Sequence, residues 1–304
     1  VLTGASPPTI TTTQQIVTQS PTTAPSAAPT TAAPTTAAPT PAPPCLEHEV
    51  SVGHGSDNMV NASGVAVGMI GGTEYAFVTA PGTDGLYNAL TIFDVSSAQD
   101  GTAFDVGMLL DYGSSCSQLC DPRGVVLDAA RELVFVGGFA SDSLAVIDVS
   151  NVYNPAIVGS LIDPTFLRAP RDLSLDVARK LVYVPSSDGL AVVNVSDATS
   201  PVMVSSTSSV LAGATGSAFD AAGSRVFVSG ASASTLKVFD VSDPWAAPTV
   251  VGTLTDNVKF AKIQGLAYAA QRVFVAATDA NCVSVVDVSV SSSPTLLGSV
   301  CNPA

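Results

Sequence analysis

The chain has 304 residues, 25 of them acidic and 11 basic, for a net charge of −14. That balance argues against binding to nucleic acid or to an anionic membrane, both of which need clustered Lys and Arg, and no apolar run reaches the roughly 18 residues of a membrane span. Charged residues are 12% of the chain, about half the usual share, so the surface of Ser, Thr, Ala and Gly suits packing against copies of itself or a coat of glycans.

Residues 1–44 carry no charged side chain and consist mainly of Thr, Pro, Ala and Ser. Such a composition cannot bury a core, which predicts an extended, polyproline-like segment. Its short Thr/Pro/Ala repeat from Pro21 onward resembles mucin-type linkers and the hydroxyproline-glycosylation modules of plant and algal wall glycoproteins. The resemblance implies a stalk glycosylated at Thr22, Thr23, Thr30, Thr31, Thr35, Thr36 and Thr40. Thr9 to Thr18 is β-prone, with Ile10 and Ile16 on one face of a strand, and is expected to add to a neighbouring subunit. The chain starts at Val1 without a leader, as a processed or truncated chain would.

Composition changes at Cys45, which sets a second domain at 45–304. Within it one short pattern returns five times, ending in Asp94-Val95-Ser96, Asp148-Val149-Ser150, Asn194-Val195-Ser196, Asp240-Val241-Ser242 and Asp287-Val288-Ser289. The intervals are 54, 46, 46 and 47 residues. Each repeat reads as four strands. The first begins at a small or polar residue, as at Gly64, Gly124, Asp172, Gly216 and Gly265. The second is aromatic and β-branched, as in Leu133-Val134-Phe135-Val136 and Arg225-Val226-Phe227-Val228. The third is the repeated pattern, and the fourth is short, as in Ile157-Val158-Gly159. Turn residues separate them, and no helical period is present. Four short strands in about 46 residues make one propeller blade, and apolar runs that hardly alternate fit sheets covered on both faces by neighbouring blades. The fold class is therefore all-β, a five-bladed β-propeller of four-stranded blades preceded by an extended segment. Residues 49–52 align with an additional fourth strand that could pair with the last blade and close the ring, while the last blade already has one at Leu296 to Val300. Which of the two lies outermost is left open.

The third-strand consensus, with a Pro-preceded fourth strand, resembles the LVIVD-repeat β-propellers over about residues 48–304. That resemblance implies an extracellular or cell-surface protein. Asn194 in place of Asp, and a longer first interval holding Cys116 and Cys120, depart from the pattern.

The five cysteines lack a CxxC pair and the chain has two His, so disulfides are expected rather than zinc. Cys116 with Cys120, and Cys282 with Cys301 on adjacent strands, form one scheme, leaving Cys45 free or bonded to another chain. A ring-closing Cys45–Cys301 bond is its rival. The repeated Asp residues sit just before a turn, where they cap backbone N–H groups, and Asn194 does the same without charge. That reading outweighs a metal ring. His48 and His54 have no catalytic company, and no phosphate loop or metal motif is present. The residues before each first strand, Ser63, Arg123, Arg171, Thr215 and Gln264, should ring one end of the channel. Arg123 and Arg171 on adjacent blades suit a carboxylate or an acidic sugar; alternatively they pair with Asp121 and Asp172. Asn61-Ala62-Ser63 is a glycosylation sequon in a loop, whereas the sequon at Asn194 coincides with a structural position. Trp245 suits either an interface or a packed turn.

Together these features describe an extracellular, self-associating structural glycoprotein, the subunit of a surface filament or matrix, with neither enzymatic activity nor a cofactor or metal. A stalked binding or adhesion module recognising a glycan or a protein is the alternative.

Overall fold

The computed structural model describes residues 47–48, 61–81, 87–96, 102–112, 117–187 and 189–302. The expectations for the stalk and its threonines, the Thr9–Thr18 strand, Cys45, residues 49–52 and Cys116 lie outside the described residues.

Each repeat folds into an antiparallel sheet whose strands follow one another in sequence order, so five repeats make a five-bladed propeller. Blade 1 holds β2 (Gly64–Ile70), β3 (Thr73–Ala80), β4 (Tyr87–Asp94) and β5 (Thr102–Tyr112), with the two-residue β1 (Glu47–His48) added in parallel outside β5. Blade 2 holds β6 (Pro122–Asp128), β7 (Leu133–Gly138), β8 (Ser143–Asp148) and β9 (Ala156–Ile162). Blade 3 holds β10 (Ser174–Asp176), β11 (Leu181–Pro185), β12 (Leu190–Asn194) and β13 (Val202–Thr207). Blade 4 holds β14 (Ala214–Asp220), β15 (Arg225–Gly230), β16 (Thr235–Asp240) and β17 (Thr249–Thr255). Blade 5 holds β18 (Ile263–Ala269), β19 (Arg272–Ala277), β20 (Cys282–Asp287) and β21 (Thr295–Cys301).

Local chemistry closes each blade the same way. The turn between first and second strands places Glu132, Lys180, Ser224 and Gln271 at positive φ in blades 2 to 5. The carbonyls of these residues accept the N–H of Val149, Val195, Val241 and Val288, and Glu74 accepts that of Val95. The residue before each Val caps the following turn. Oδ1 of Asp94, Asp148, Asn194, Asp240 and Asp287 accepts the N–H of the Ser two residues on, at 2.8–2.9 Å. Asn194 makes the same bond as the four carboxylates, so the position needs an acceptor rather than a charge. The capping N–H is the leading cause that holds Asp240 and Asp287 below the usual carboxylate range.

The core is four apolar layers, one between each pair of consecutive blades. One aromatic of each second strand anchors the layer toward the following blade: Phe77, Phe135, Tyr183 and Phe227, all 0% exposed. Tyr183 meets Phe219 of blade 4 at 5.1 Å, and Phe227 stacks on Tyr268 of blade 5 at 5.3 Å. Glycines let backbones meet. A Cβ on Gly64 would lie 2.2 Å from the Arg123 carbonyl of the next blade, and one on Gly252 2.0 Å from the Ser291 carbonyl.

Blade 5 departs from the expected two-sided covering. Its strands alternate between buried and exposed, as an antiparallel sheet does with one face on the core and one in water. Among the described residues, no strand of blade 5 packs on blade 1 as consecutive blades pack on one another.

Candidate functional site

The residues that open the five blades differ in what they do. Ser63 donates from Oγ to the Pro122 carbonyl at 2.8 Å, and Thr215 donates from Oγ1 to the Ile263 carbonyl at 2.6 Å, so each ties its blade to the next. Gln264 is exposed.

Arg123 and Arg171 are brought together over one ring. Phe139, just past β7, has the Arg123 guanidinium 5.0 Å and the Arg171 guanidinium 4.6 Å from its centroid. The loop that carries Arg123 is fixed from blade 1. Oδ2 of Asp111 accepts the N–H of Leu119 at 3.0 Å, and buried Asn88 accepts the N–H of Asp121 at 2.8 Å. Asp121 is itself at φ 49°, and its carbonyl takes the N–H of Phe139, which seats the ring. Arg171 follows a loop pinned by Asp142, whose carboxylate accepts the Ala169 N–H at 2.9 Å. Sequence reading missed Phe139, since nothing at the end of a strand marks an aromatic as the floor of a site.

The charges are unequal. Asp121 and Arg123 form an ion pair at 2.8 Å, with both side chains half-buried. Arg171 forms no ion pair among the described residues. Burial, and then the neighbouring Arg123, lower the Arg171 pKa, with Asp121 pulling the other way. Asp172 does not neutralise Arg171 despite being adjacent in sequence, because successive side chains of an extended chain point to opposite sides. Asp172 instead accepts the N–H of Ser217 on blade 4 and its neighbour Leu173. Burial outweighs both bonds and pushes its carboxyl up to about 6. The result is a cationic, aromatic-floored mouth with one guanidinium compensated and one not, a donor set for a single carboxylate.

A second constellation, also missed from sequence, lies away from the mouth. Arg131 pairs with buried Asp128 at 2.7 Å and donates from the other arm to the Val195 carbonyl of blade 3 at 2.6 Å. Arg179 pairs with Asp176 and reaches the Val241 carbonyl of blade 4 at 3.0 Å. Arg225 pairs with Asp220 and reaches the Val288 carbonyl of blade 5 at 2.6 Å. Burial raises the Asp220 pKa, but the bonds from Arg225, Gly223 and Tyr268 outweigh it, and the net shift is downward. These are cross-blade clamps, each guanidinium being spent on a backbone carbonyl as well as on its carboxylate. The legible signal was Asp128-Ala129-Ala130-Arg131 recurring as Asp176-Val177-Ala178-Arg179.

Among the described residues no cluster of His, Cys, Asp and Glu could hold a metal. Cys282 and Cys301 form a disulfide between facing residues of β20 and β21, and Cys120 is disulfide-bonded. Asn61 is exposed in the turn before β2, and Trp245 is exposed in the loop before β17.

The LVIVD repeat model matches residues 134–163, 174–208 and 273–302, in blades 2, 3 and 5, so the chain carries LVIVD repeats. No curated protein matches it. Among solved structures it is similar to a chain of the nidogen/laminin complex, at 13% identity and a TM-score of 0.56 over 79% of this chain and 80% of that one. It is also similar to a protein from Lactobacillus plantarum, at 15% identity and a TM-score of 0.61 over 79% of this chain and 71% of that one. At these identities the likeness is one of fold.

Proposed function

We propose that the protein is an extracellular, non-catalytic propeller, carried on an O-glycosylated stalk, that binds an anionic group of a glycan or protein at the Arg123–Phe139–Arg171 mouth. One observation carries the reading. Arg171 is held over an aromatic ring beside a second guanidinium, while the carboxylate at hand, Asp121, is already committed to Arg123. A carboxylate ligand would complete the pair and relieve the repulsion between the two cations. The disulfides, and the absence among the described residues of a helix long and apolar enough to cross a membrane, accord with a secreted or surface location. A structural neighbour crystallised as a complex between proteins fits a binding role. The test is calorimetric titration with glucuronate, with glucose as the neutral control. Binding of glucuronate but not glucose, weakened at least tenfold in Arg171→Ala, supports the reading. Equal heats for both sugars, or binding unchanged in Arg171→Ala, would reject it.

A second reading, the self-associating subunit of a surface filament or matrix, is favoured by one specific observation. On the outer face of blade 5, Phe274, Val283, Leu297 and Val300 are 38–81% exposed, and no other described residue covers them.

A further inference from the structure

Arg171 is one of two guanidiniums that its loop offers. The connection from β9 to β10 carries Arg168 three residues earlier, and both side chains are exposed. Neither forms an ion pair among the described residues. Three residues of chain span at most about 10–11 Å, so two uncompensated cations share one short stretch. The carboxylates that shape this loop are engaged by backbone N–H groups instead. Asp163 accepts from Thr165 and Phe166, Asp142 from Ala169, and Asp172 from Leu173 and Ser217, all at 2.6–3.0 Å.

The stretch is held from both sides. Leu167 is fully buried and donates its N–H to the Asp163 carbonyl at 2.8 Å. The Arg168 carbonyl accepts the N–H and the Oγ of Ser187 on blade 3, at 2.8 and 3.1 Å. The Arg171 guanidinium lies over Phe139 of blade 2. A cationic row thus runs from blade 2 towards blade 3, with little freedom left to its backbone. The backbone donors around it are used up: Leu119, Asp121, Phe139, Ala140, Ala169 and Ser187 all give their N–H to groups of the protein itself. Recognition here falls to side-chain charge.

We infer that the ligand of this mouth is an anionic polysaccharide, one of whose acid groups sits between Arg123 and Arg171 while another, further along the same chain, meets Arg168. This rests on the anion-binding reading above and names its substrate class. A polymer with an acid on each sugar presents charges at regular intervals, which suits two guanidiniums fixed a short distance apart. The second contact is made within a complex already formed, so it adds affinity without a second association cost. An acidic peptide is the poorer match. It brings a row of backbone amides that seek strand partners, and the mouth has spent its own.

The test is calorimetric titration of the full chain with galacturonate and with di-, tri- and tetragalacturonate. Affinity should rise at least about tenfold from the monomer to the longest oligomer. In Arg168→Ala the ratio of oligomer to monomer affinity should fall to within about twofold, and in Arg168→Glu the oligomer should bind more weakly than the monomer. Both variants should unfold with the parent, because the Arg168 side chain is exposed and Ser187 holds only its carbonyl. A sulfated oligosaccharide of matching length identifies the acid: a gain with the uronates alone assigns carboxylates, and a gain with both assigns anionic polysaccharides at large. Hexa-aspartate that shows the same Arg168-dependent gain would overturn the choice of a polysaccharide. Oligomers no tighter than the monomer, or a gain that survives Arg168→Ala, overturn this inference and leave the anion-binding mouth standing. A parent that binds none of these acids overturns both.

Discussion

Blades 4 and 5 share a sequence pattern but differ in environment. Arg225-Val226-Phe227-Val228 becomes Arg272-Val273-Phe274-Val275, and Val250-Val251-Gly252 becomes Leu296-Leu297-Gly298. The third and fourth strands pair in the same register, with the bulge at the same position. In blade 4 the aromatic is sealed and the arginine is clamped; in blade 5 both meet solvent. The repeat therefore encodes a sheet with two adhesive faces, and whether each is buried depends on what stands next to it. Strand formation is local, whereas burial belongs to the pair of blades.

The sharpest test of that difference is to truncate the aromatic in each blade. Phe227→Ala removes a ring packed on Tyr268 and leaves a cavity, at a cost of about 3–5 kcal/mol. Phe274→Ala, measured below any association threshold, should cost under about 1 kcal/mol, since its ring lacks a covering blade. Urea unfolding followed by far-UV circular dichroism would separate the two, and equal losses would mean that blade 5 is covered in solution. The Cys282–Cys301 bond provides the next contrast. It closes a span of 19 residues in the blade that lacks a second neighbour. Replacing both cysteines with Ser should cost about 3 kcal/mol, and native-state hydrogen exchange should rise first in β21 rather than in blades 2 to 4.

The sequence made blade number, strand order and the capping residues readable because they follow from short-range rules: a repeated apolar strand, a turn, an acceptor two residues before an N–H. Asn194 was informative for the same reason, since a neutral acceptor in a set of carboxylates favours a hydrogen-bonding role over a shared ion. The mouth was half readable. Arg123 and Arg171 could be placed by alignment of the repeats, but not Phe139, which is contributed by a different turn, nor the opposite orientations of Arg171 and Asp172. The Arg131 and Arg179 clamps stayed hidden because their acceptor is a backbone carbonyl about 62–64 residues away, and no side-chain type marks it. The face of blade 5 that no other described residue covers was largely beyond reach, because its aromatic and glycines repeat those of a covered blade; Ala269 in place of the pairing Asp was the readable departure.

Asp172 tests the inner strands, where blade 3 carries a carboxylate in place of the glycine found in every other blade. A carboxyl raised from 3.8 to about 6 holds its proton in the folded state across a range where the unfolded chain has lost it. The folded protein then binds more protons, so this group's stabilising effect is complete below pH 3.8 and is lost as pH rises to about 6. Asp172→Asn should therefore gain on the parent across that window by up to about 3 kcal/mol. The difference should be level above it. Asp220, Asp240 and Asp287, whose pKa values are lowered, act in the opposite direction below the usual carboxylate range in both proteins, so they cancel in the comparison.

The smallest change separates the two blades by a single methyl group. A Cβ at Gly252 would sit 2.0 Å from the Ser291 carbonyl and 3.1 Å from Pro294, both parts of blade 5. Gly252→Ala must push the blades apart and should cost about 1–3 kcal/mol by overpacking. Gly298→Ala enters open space and should leave the isolated chain within about 0.5 kcal/mol of the parent. The informative result is what that same methyl does at high concentration. If another body covers blade 5, Gly298→Ala meets it there as Gly252→Ala meets blade 5 within the chain. It should then weaken association about as much as Gly252→Ala weakens folding. A methyl that affects neither folding nor association would mean that blade 5 kept its glycine without a backbone to admit, and that the face is terminal.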